Sequence, residues 1–296
     1  MEDLEAMRAR QRGIQHLIPL LNAIRSVAEI AWRRADRASQ PLERYAERLS
    51  PALANALSAL GPGPRAQLLA DWSDSRPLGL LVIGSERGLC GAFNDRLVDA
   101  ALGEVARLAG EGNRVRMLTL GNRPRRLLES AGQEIVYTRD LPSFTVPPYV
   151  LAEGIALDLL DLGERGEIGR LVVVSNRPAG RFQYRATTTR LLPPDLPEAA
   201  RPAGGVQIRP PRDIAALATH LLTEHLLVGL YRLLLASAIS EQLARIFTMR
   251  NAVDNAQRLL DRLGLTYTMA ERQASTAALL EIVAGYELVR EQMDPD

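Results

Sequence analysis

A seven-residue apolar repeat at both ends of the chain constrains the fold more than any other feature. Near the amino end, the repeat aligns Met7, Ile14, Leu21, Ala28, Ala35, Leu42, Leu49 and Ala56. Near the carboxyl end, it aligns Ile214, Leu221, Val228, Leu235, Gln242, Met249, Ala256, Leu263, Ala270, Ala277 and Ala284. A strict seven-residue period is typical of left-handed coiled coils. The pattern predicts that long helices in segments 1–60 and 213–296 pair as an antiparallel coiled coil.

Four residues within these segments disfavour an unbroken helix. Pro19, Pro41 and Pro51 each remove one helical hydrogen bond, so we expect them to kink or interrupt the first helix. Gly264 is the expected weak point of the second, because glycine has a low helix propensity.

The central segment, 77–192, alternates short apolar runs with amphipathic stretches. The pattern predicts strands at Pro77–Gly84, Arg114–Leu120, Gln133–Thr138, Arg170–Ser175 and Phe182–Leu192. It predicts helices at Phe93–Gly110, Arg123–Ala131 and Tyr149–Leu162. Strands and helices in turn indicate an α/β fold, here a Rossmann-like body with a parallel, doubly wound sheet. The proline-rich stretch 193–212 is predicted to be a surface linker.

Composition excludes several classes of protein. With 47% hydrophobic residues and a net charge of +1, the chain is neither a disordered tail nor a polybasic nucleic-acid binder. All 36 basic residues are arginine, so a Walker-type phosphate lysine and a Schiff-base lysine are absent. Cys90 is the one cysteine, which rules out an internal disulfide. We find neither an apolar signal-peptide core nor a run of about 18 apolar residues, and we expect a cytoplasmic location.

A glycine-rich stretch, Gly84 to Asn94, lies between the first predicted strand and the helix that follows it. A dinucleotide-binding fold has its phosphate loop at that place. The spacing of Gly84, Gly88 and Gly91 differs from G-x-G-x-x-G, however, and no acid follows the second strand to hold a ribose. We therefore interpret the stretch as a structural or partner-facing loop whose glycines supply turn conformations.

Cys90 lies near the start of a predicted helix, where a thiol can become reactive. The three histidines, His16, His220 and His225, all fall in the terminal helices, so no base is near it in the sequence. The favoured interpretation is a buried, unreactive thiol.

Several motifs resemble the gamma subunit of F-type rotary ATP synthases. They are Ser240-Glu241, Ala244-Arg245, Met249-Arg250-Asn251-Ala252, Asp254-Asn255-Ala256 and Glu281-Ile282-Val283. The loop Arg87-Gly88-Leu89-Cys90-Gly91 and the amino-terminal Arg33-Arg34-Ala35 are also similar to that family. The chain differs from it at Glu271, which stands where the family has arginine, so a divergent branch such as the N-type ATPases remains open.

The resemblance implies a central shaft that turns inside a ring of alpha and beta subunits and stands on the c ring beside epsilon. It implies a peripheral subunit at the cytoplasmic face of the cell membrane, with no catalytic residue, no cofactor, no metal and no nucleic acid. The partner contacts that it suggests are Arg25, Arg33, Arg34, Arg87, Gly88, Cys90, Arg245, Arg250, Arg258, Arg262 and Glu281.

Two other functions stay open from the residues alone. A Rossmann-type nucleotide-dependent enzyme would use the glycine-rich stretch, although the missing lysine and ribose acid count against it. A coiled-coil scaffold unrelated to rotation would use the two apolar repeats for self-association, but it gives no reason for the motifs of the second helix.

Overall fold

The computed structural model describes residues 2–70, 72–73, 75–180, 183–195 and 213–293, with side chains described from Leu4 to Tyr286. Most of the predicted linker, residues 196–212, lies outside the described residues.

Six helices and five strands make up the described part of the chain. In chain order they are α1 (Glu2–Ala59), α2 (Pro62–Leu68), β1 (Leu78–Ile83), α3 (Phe93–Gly110), β2 (Val115–Leu120), α4 (Asn122–Ser130), β3 (Ile135–Arg139), α5 (Tyr149–Glu164), β4 (Arg170–Pro178), β5 (Tyr184–Leu192) and α6 (Ile214–Met293). The short helix α2 was not predicted, because its proline and glycine residues obscure any helical period.

The five strands form one sheet in the order β3-β2-β1-β4-β5. Strands β1 to β4 are parallel, as the alternation of strands and helices predicts. Strand β5 pairs antiparallel with β4, so the prediction of a wholly parallel sheet is wrong at this edge. Only residues 179–183 separate the two strands, whereas a parallel crossover needs about a dozen or more residues.

Two hydrophobic cores cover the two faces of the sheet. One face of β1, through Leu80 and Val82, packs with α3 and α4, including Leu97 and Leu128. The other face packs with the end of α1, with α5 and with the first part of α6. Every residue of β1 is therefore buried, which is why its sequence reads as a continuous apolar run.

The chain divides into two compact units, and each contains part of both terminal helices. The first unit comprises residues 1–26 and 248–296, and the second comprises residues 27–247. In the first unit, Arg8 of α1 lies 3.7 Å from the carboxylate of Glu271, and its guanidinium lies 4.9 Å from the ring centre of Tyr267. In the second unit, α1 pairs with the early part of α6: Ala35 packs with Ile239 and Leu243.

Farther along α1 in the second unit, Ala46 and Leu49 pack with Val228. Later residues of α1 thus meet earlier residues of α6, as in an antiparallel pair. All eight residues of the amino-terminal repeat are buried or half-buried. Along α6 the repeat is at least half-buried from Ile214 to Ala270, whereas Ala277 and Ala284 are exposed.

Helix α1 continues through its three prolines, so of the two effects expected of them the interruption does not occur, and a kink stays a prediction. Each proline leaves one carbonyl group, four residues earlier, without its helical partner. Those carbonyls belong to the exposed residues Gln15, Arg37 and Glu47, where water can replace the lost donor. Helix α6 likewise continues through Gly264.

Helix α6 is also long and apolar enough to cross a membrane, with a mean hydropathy of 1.4 over its most apolar 18 residues. However, 61% of that window is buried inside the protein, as in the core helix of a globular fold.

Enlarging Ala35 is expected to destabilise the second unit. The residue is 1% exposed and packs between side chains of α6, so Ala35→Leu forces extra methyl groups into a filled space. Such overpacking typically costs about 1–3 kcal/mol of unfolding free energy, measured here by urea denaturation of the purified chain.

The matched control for that variant is Ala52→Leu, which adds the same atoms at an exposed position of the same helix. It should change the unfolding free energy by less than about 0.5 kcal/mol. Equal losses in the two variants would contradict the close packing of α1 on α6.

Candidate functional site

The glycine loop, residues 84–92, leaves the carboxyl end of β1 and leads into α3. Neighbouring side chains leave no room for a side chain at Gly84, because an added Cβ would lie 2.6 Å from Pro124 and 2.9 Å from the Asn94 side chain. Gly91 has a φ of +57°, a value that favours glycine. An added Cβ at Gly88 would meet nothing within 4 Å and its φ is not positive, so the expectation of a special conformation at Gly88 is wrong.

Asn94, in the first turn of α3, holds the start of the loop. Its side-chain oxygen accepts a hydrogen bond of 3.1 Å from the Ser85 backbone N–H, and its Nδ2 donates one of 2.8 Å to the Ser85 hydroxyl. Both residues are at most 4% exposed. The loop is thus anchored by its own helix rather than left open for a ligand.

Glu86 connects the three loops that follow β1, β2 and β3. One of its carboxylate oxygens accepts hydrogen bonds from the backbone N–H groups of Asn122 (3.2 Å) and Leu141 (3.1 Å). Asn122 is the first residue of α4, where unpaired N–H groups and the helix dipole favour a negative charge. This role was not anticipated from the sequence, because it depends on loops that are 36 and 55 residues away in the chain.

Arg245 of α6 fastens the glycine loop to the long helix. Its guanidinium donates to the Glu241 carboxylate (2.5 Å), to the Gln242 side chain (2.8 Å) and to the backbone oxygen of Gly88 (3.3 Å). The same group lies 4.4 Å from the ring centre of Phe144, a cation–π distance. The Arg245 side chain is completely buried.

Glu241 is the counter-ion of Arg245 and is itself 7% exposed. Burial raises the pKa of the Glu241 carboxyl, and the Arg245 guanidinium opposes that rise. Removing either partner would leave an unpaired group in the protein interior, where charge is costly.

The crevice at which a doubly wound sheet binds ligands is filled by side chains of this chain. The strand order reverses at β1, between β2 and β4, so the crevice lies at the carboxyl ends of β1 and β4. There the Ser237 hydroxyl of α6 donates to the Ile83 carbonyl (3.2 Å). The Asn176 amide at the end of β4 donates to the Phe93 carbonyl (3.1 Å). The site is a helix-docking site.

Cys90 faces the interior of this site. It is 2% exposed and packs with Phe93, Ala244 and Tyr184. Burial raises the pKa of the Cys90 thiol, which lowers the fraction of reactive thiolate at neutral pH. The interpretation of Cys90 as a buried, unreactive thiol is consistent with this geometry.

The structure brings together three of the residues that the resemblance suggested as partner contacts: Gly88, Cys90 and Arg245. The side chains of Cys90 and Arg245 are buried in this conformation, which differs from the exposed position that a partner contact suggests. That difference arises because α6 runs across the carboxyl edge of the sheet, which the motifs alone do not reveal. Exposed side chains are found at Arg33, Arg34, Arg87, Arg250, Arg258, Arg262 and Glu281, and Arg25 is half-buried.

Among the residues that the structure describes, no group of three or more histidine, cysteine, aspartate or glutamate side chains is arranged to hold a metal ion.

Comparisons with known proteins agree with this architecture. A family model described as ATP synthase matches residues 3–289. An ATP synthase gamma chain from Methylobacterium sp. is 31% identical over 292 residues, which cover 97% of this chain and 99% of that one. One from Cereibacter sphaeroides is 29% identical over 289 residues with the same coverage.

Solved structures give the same result at the level of the fold. A chain from the OSCP/F1/c-ring assembly of Euglena gracilis mitochondrial ATP synthase has a TM-score of 0.69 at 17% identity, covering 100% of this chain and 97% of that one. One from the central stalk and c-ring of Tetrahymena thermophila mitochondrial ATP synthase has a TM-score of 0.55 at 18% identity, covering 79% and 99%.

The fold is thus that of a chain from the central stalk of ATP synthases. With a family model and relatives matched over nearly its whole length, the chain belongs to the ATP synthase gamma chain family. These findings confirm the resemblance in the motifs and give no support to an enzyme or an unrelated scaffold.

Breaking the Arg245–Glu241 pair is expected to destabilise the protein strongly. Arg245→Met leaves the Glu241 carboxylate buried without its counter-ion, and such losses reach about 3–5 kcal/mol of unfolding free energy. The double variant Glu241→Gln with Arg245→Met should lose markedly less, because no charge remains buried.

Urea denaturation of four proteins, the unsubstituted chain, Arg245→Met, Glu241→Gln and the double variant, completes the double-mutant cycle. If the double variant lost the sum of the single losses, the two side chains would not be coupled.

Proposed function

We propose that this chain is the rotating central shaft of an ATP synthase. In this function it couples rotation of the c ring, driven by ion flow, to ATP synthesis or hydrolysis in the alpha/beta ring. The observation that carries the proposal is the extent of the family match, which runs from residue 3 to residue 289 and so includes both terminal helices. A shaft needs those helices, and in each compact unit they pair with one another.

The shaft itself carries out no chemistry in this proposal. Support comes from the helix-docking site, where Ser237 and Arg245 of α6 occupy the place of a ligand. Support also comes from Cys90, whose thiol is buried and has a raised pKa. The chain acts as a non-catalytic subunit, and the alpha and beta subunits make and break the bonds of ATP.

The proposed partners are the alpha and beta subunits, epsilon and the c ring. The proposed location is peripheral, at the cytoplasmic face of the cell membrane. We propose that segments 1–60 and 213–296 form the shaft, that 77–192 is the body that stands on the c ring, and that 193–212 connects the body to α6.

Weak, replaceable charge contacts suit a rotor that engages one subunit after another. Exposed ion pairs are worth about 0–1 kcal/mol each, so none of them holds the shaft in one position. The residues proposed to meet partners are Arg25, Arg33, Arg34, Arg87, Gly88, Arg250, Arg258, Arg262 and Glu281. Arg258 already bonds Asn255 on its own helix (2.7 Å), which orients its guanidinium without neutralising it.

The experiment is purification of the complex from native membranes in mild detergent, followed by reconstitution into vesicles. The chain should co-purify with the other ATP synthase subunits. Single substitutions Arg33→Ala, Arg34→Ala and Arg258→Ala should leave ATP hydrolysis near normal. The triple variant should pump fewer ions per ATP hydrolysed, with a deficit that changes over a salt series, because salt screens exposed charges.

A triple variant at exposed arginines of the body, Arg107→Ala, Arg116→Ala and Arg126→Ala, is the matched control for net charge. It should remain coupled. Failure of the chain to co-purify would overturn the proposed function. Full coupling of the shaft triple variant at every salt concentration would overturn the role of the arginines.

A further inference from the structure

Three of the chain's seven tyrosines meet on one surface of the second unit. Tyr45 belongs to α1, Tyr149 is the first residue of α5, and Tyr231 belongs to α6. The rings of Tyr149 and Tyr231 meet edge to face, with 5.3 Å between their centres. The Tyr45 hydroxyl donates a hydrogen bond of 3.2 Å to the Glu224 carboxylate. We call Tyr45, Tyr149, Tyr231, Glu224 and Glu153 the tyrosine patch.

The tyrosine patch is partly exposed to solvent, whereas its members Tyr231 and Glu224 are half-buried. Tyr45 is 48% exposed and Tyr149 is 42% exposed. Val150, next to Tyr149, is 68% exposed and extends the apolar surface. Tyrosines that cluster at a surface are typical of protein interfaces, because they bring a large contact area and little side-chain entropy.

The charge of the patch is negative. Burial raises the pKa of the Tyr149 hydroxyl, and the negative charges of Glu224 and Glu153 are the next largest causes of that rise. Glu224 also acts on Tyr45, whose pKa is raised, so the rings stay neutral at physiological pH. Neither Glu224 nor Glu153 takes part in the ion pairs found in the described part of the chain.

This surface is chemically opposite to the exposed arginines of the shaft. An acidic partner that pairs with Arg33 or Arg258 would be repelled by Glu224 and Glu153. A cation, in contrast, is attracted by both the tyrosine rings and the carboxylates of the patch. The ring faces attract it through their quadrupole, and a carboxylate forms an ion pair with it.

We propose that the tyrosine patch binds an arginine or lysine side chain presented by another subunit of the complex. The cation lies against the faces of Tyr45 and Tyr149, and Glu224 accepts its hydrogen bonds. Tyr45 holds the Glu224 carboxylate in place for this contact. The inference rests on the proposed function, because the partner is sought among the subunits with which the chain assembles.

Site-specific photocrosslinking in the assembled complex tests the inference. Benzoylphenylalanine replaces Val150, which is exposed beside the patch, and the crosslinked peptides are identified by mass spectrometry after purification. We expect a crosslink to another subunit within a few residues of an arginine or lysine. Glu224→Gln should lower the yield roughly fivefold, because the neutral amide cannot form an ion pair with the cation.

Two matched variants separate this contact from a general disturbance. Glu164→Gln removes an exposed carboxylate at the other end of α5 and should leave the yield unchanged. Tyr149→Phe keeps the ring face and should retain most of the yield, whereas Tyr149→Leu should lower it as Glu224→Gln does.

The possible failures are distinguishable. If the complex assembles but Val150 crosslinks to no other subunit, or only to segments without a basic residue, the inference is wrong and the proposed function stands. An unchanged yield in Glu224→Gln would also overturn it. If the chain does not assemble with ATP synthase subunits at all, both proposals fail.

Discussion

A completely buried arginine, Arg245, holds α6 against the carboxyl edge of the sheet. A guanidinium away from water needs partners for its donors, and here the two terminal nitrogens reach the Glu241 carboxylate, the Gln242 side chain and the Gly88 backbone, while the buried Nε has no hydrogen-bond partner among the described residues. Phe144 covers the face of the group. The Arg245 side chain contacts α6, the glycine loop and the loop before α5. These three segments therefore cannot move apart without leaving the buried charge of Arg245 unpaired.

The same arrangement explains how a fold often used for nucleotide binding can serve a different purpose. A doubly wound sheet has a ligand crevice where its strand order reverses. In this chain Ser237 and Arg245 place α6 in that crevice, and Glu86 ties the surrounding loops together. The α/β body of the protein therefore binds a long helix in the crevice of the sheet where related folds bind a ligand. Such a grip suits a subunit that transmits force.

Local patterns in the sequence predicted most of the elements. The predicted helix Phe93–Gly110 has the observed bounds of α3, and the buried runs around β1 and β4 stand out because both faces of those strands are covered. Both apolar repeats lie in α1 and α6, as expected. The match of the family model then confirms what the motifs of α6 indicated.

Features that depend on tertiary contacts were not predictable. The direction of β5 follows from a short connection, and the site depends on partners far apart in the chain, such as Glu86 with Leu141 and Arg245 with Gly88. The sequence around Arg245 does not distinguish it from an exposed arginine on a helix. Only the packing of α6 shows that the Arg245 side chain is buried. Leu89 has a φ of +64°, a left-handed backbone conformation that is not predicted for a leucine.

The most direct test of the central claim is calorimetric titration of the purified chain with ATP, ADP and NAD. If α6 fills the crevice as described, none of the three ligands should give saturable heat, while the assembled ATP synthase complex under the same conditions should bind ATP. Saturable binding of any of these nucleotides to the isolated chain in the micromolar range would contradict the claim that this crevice is a docking site for a helix.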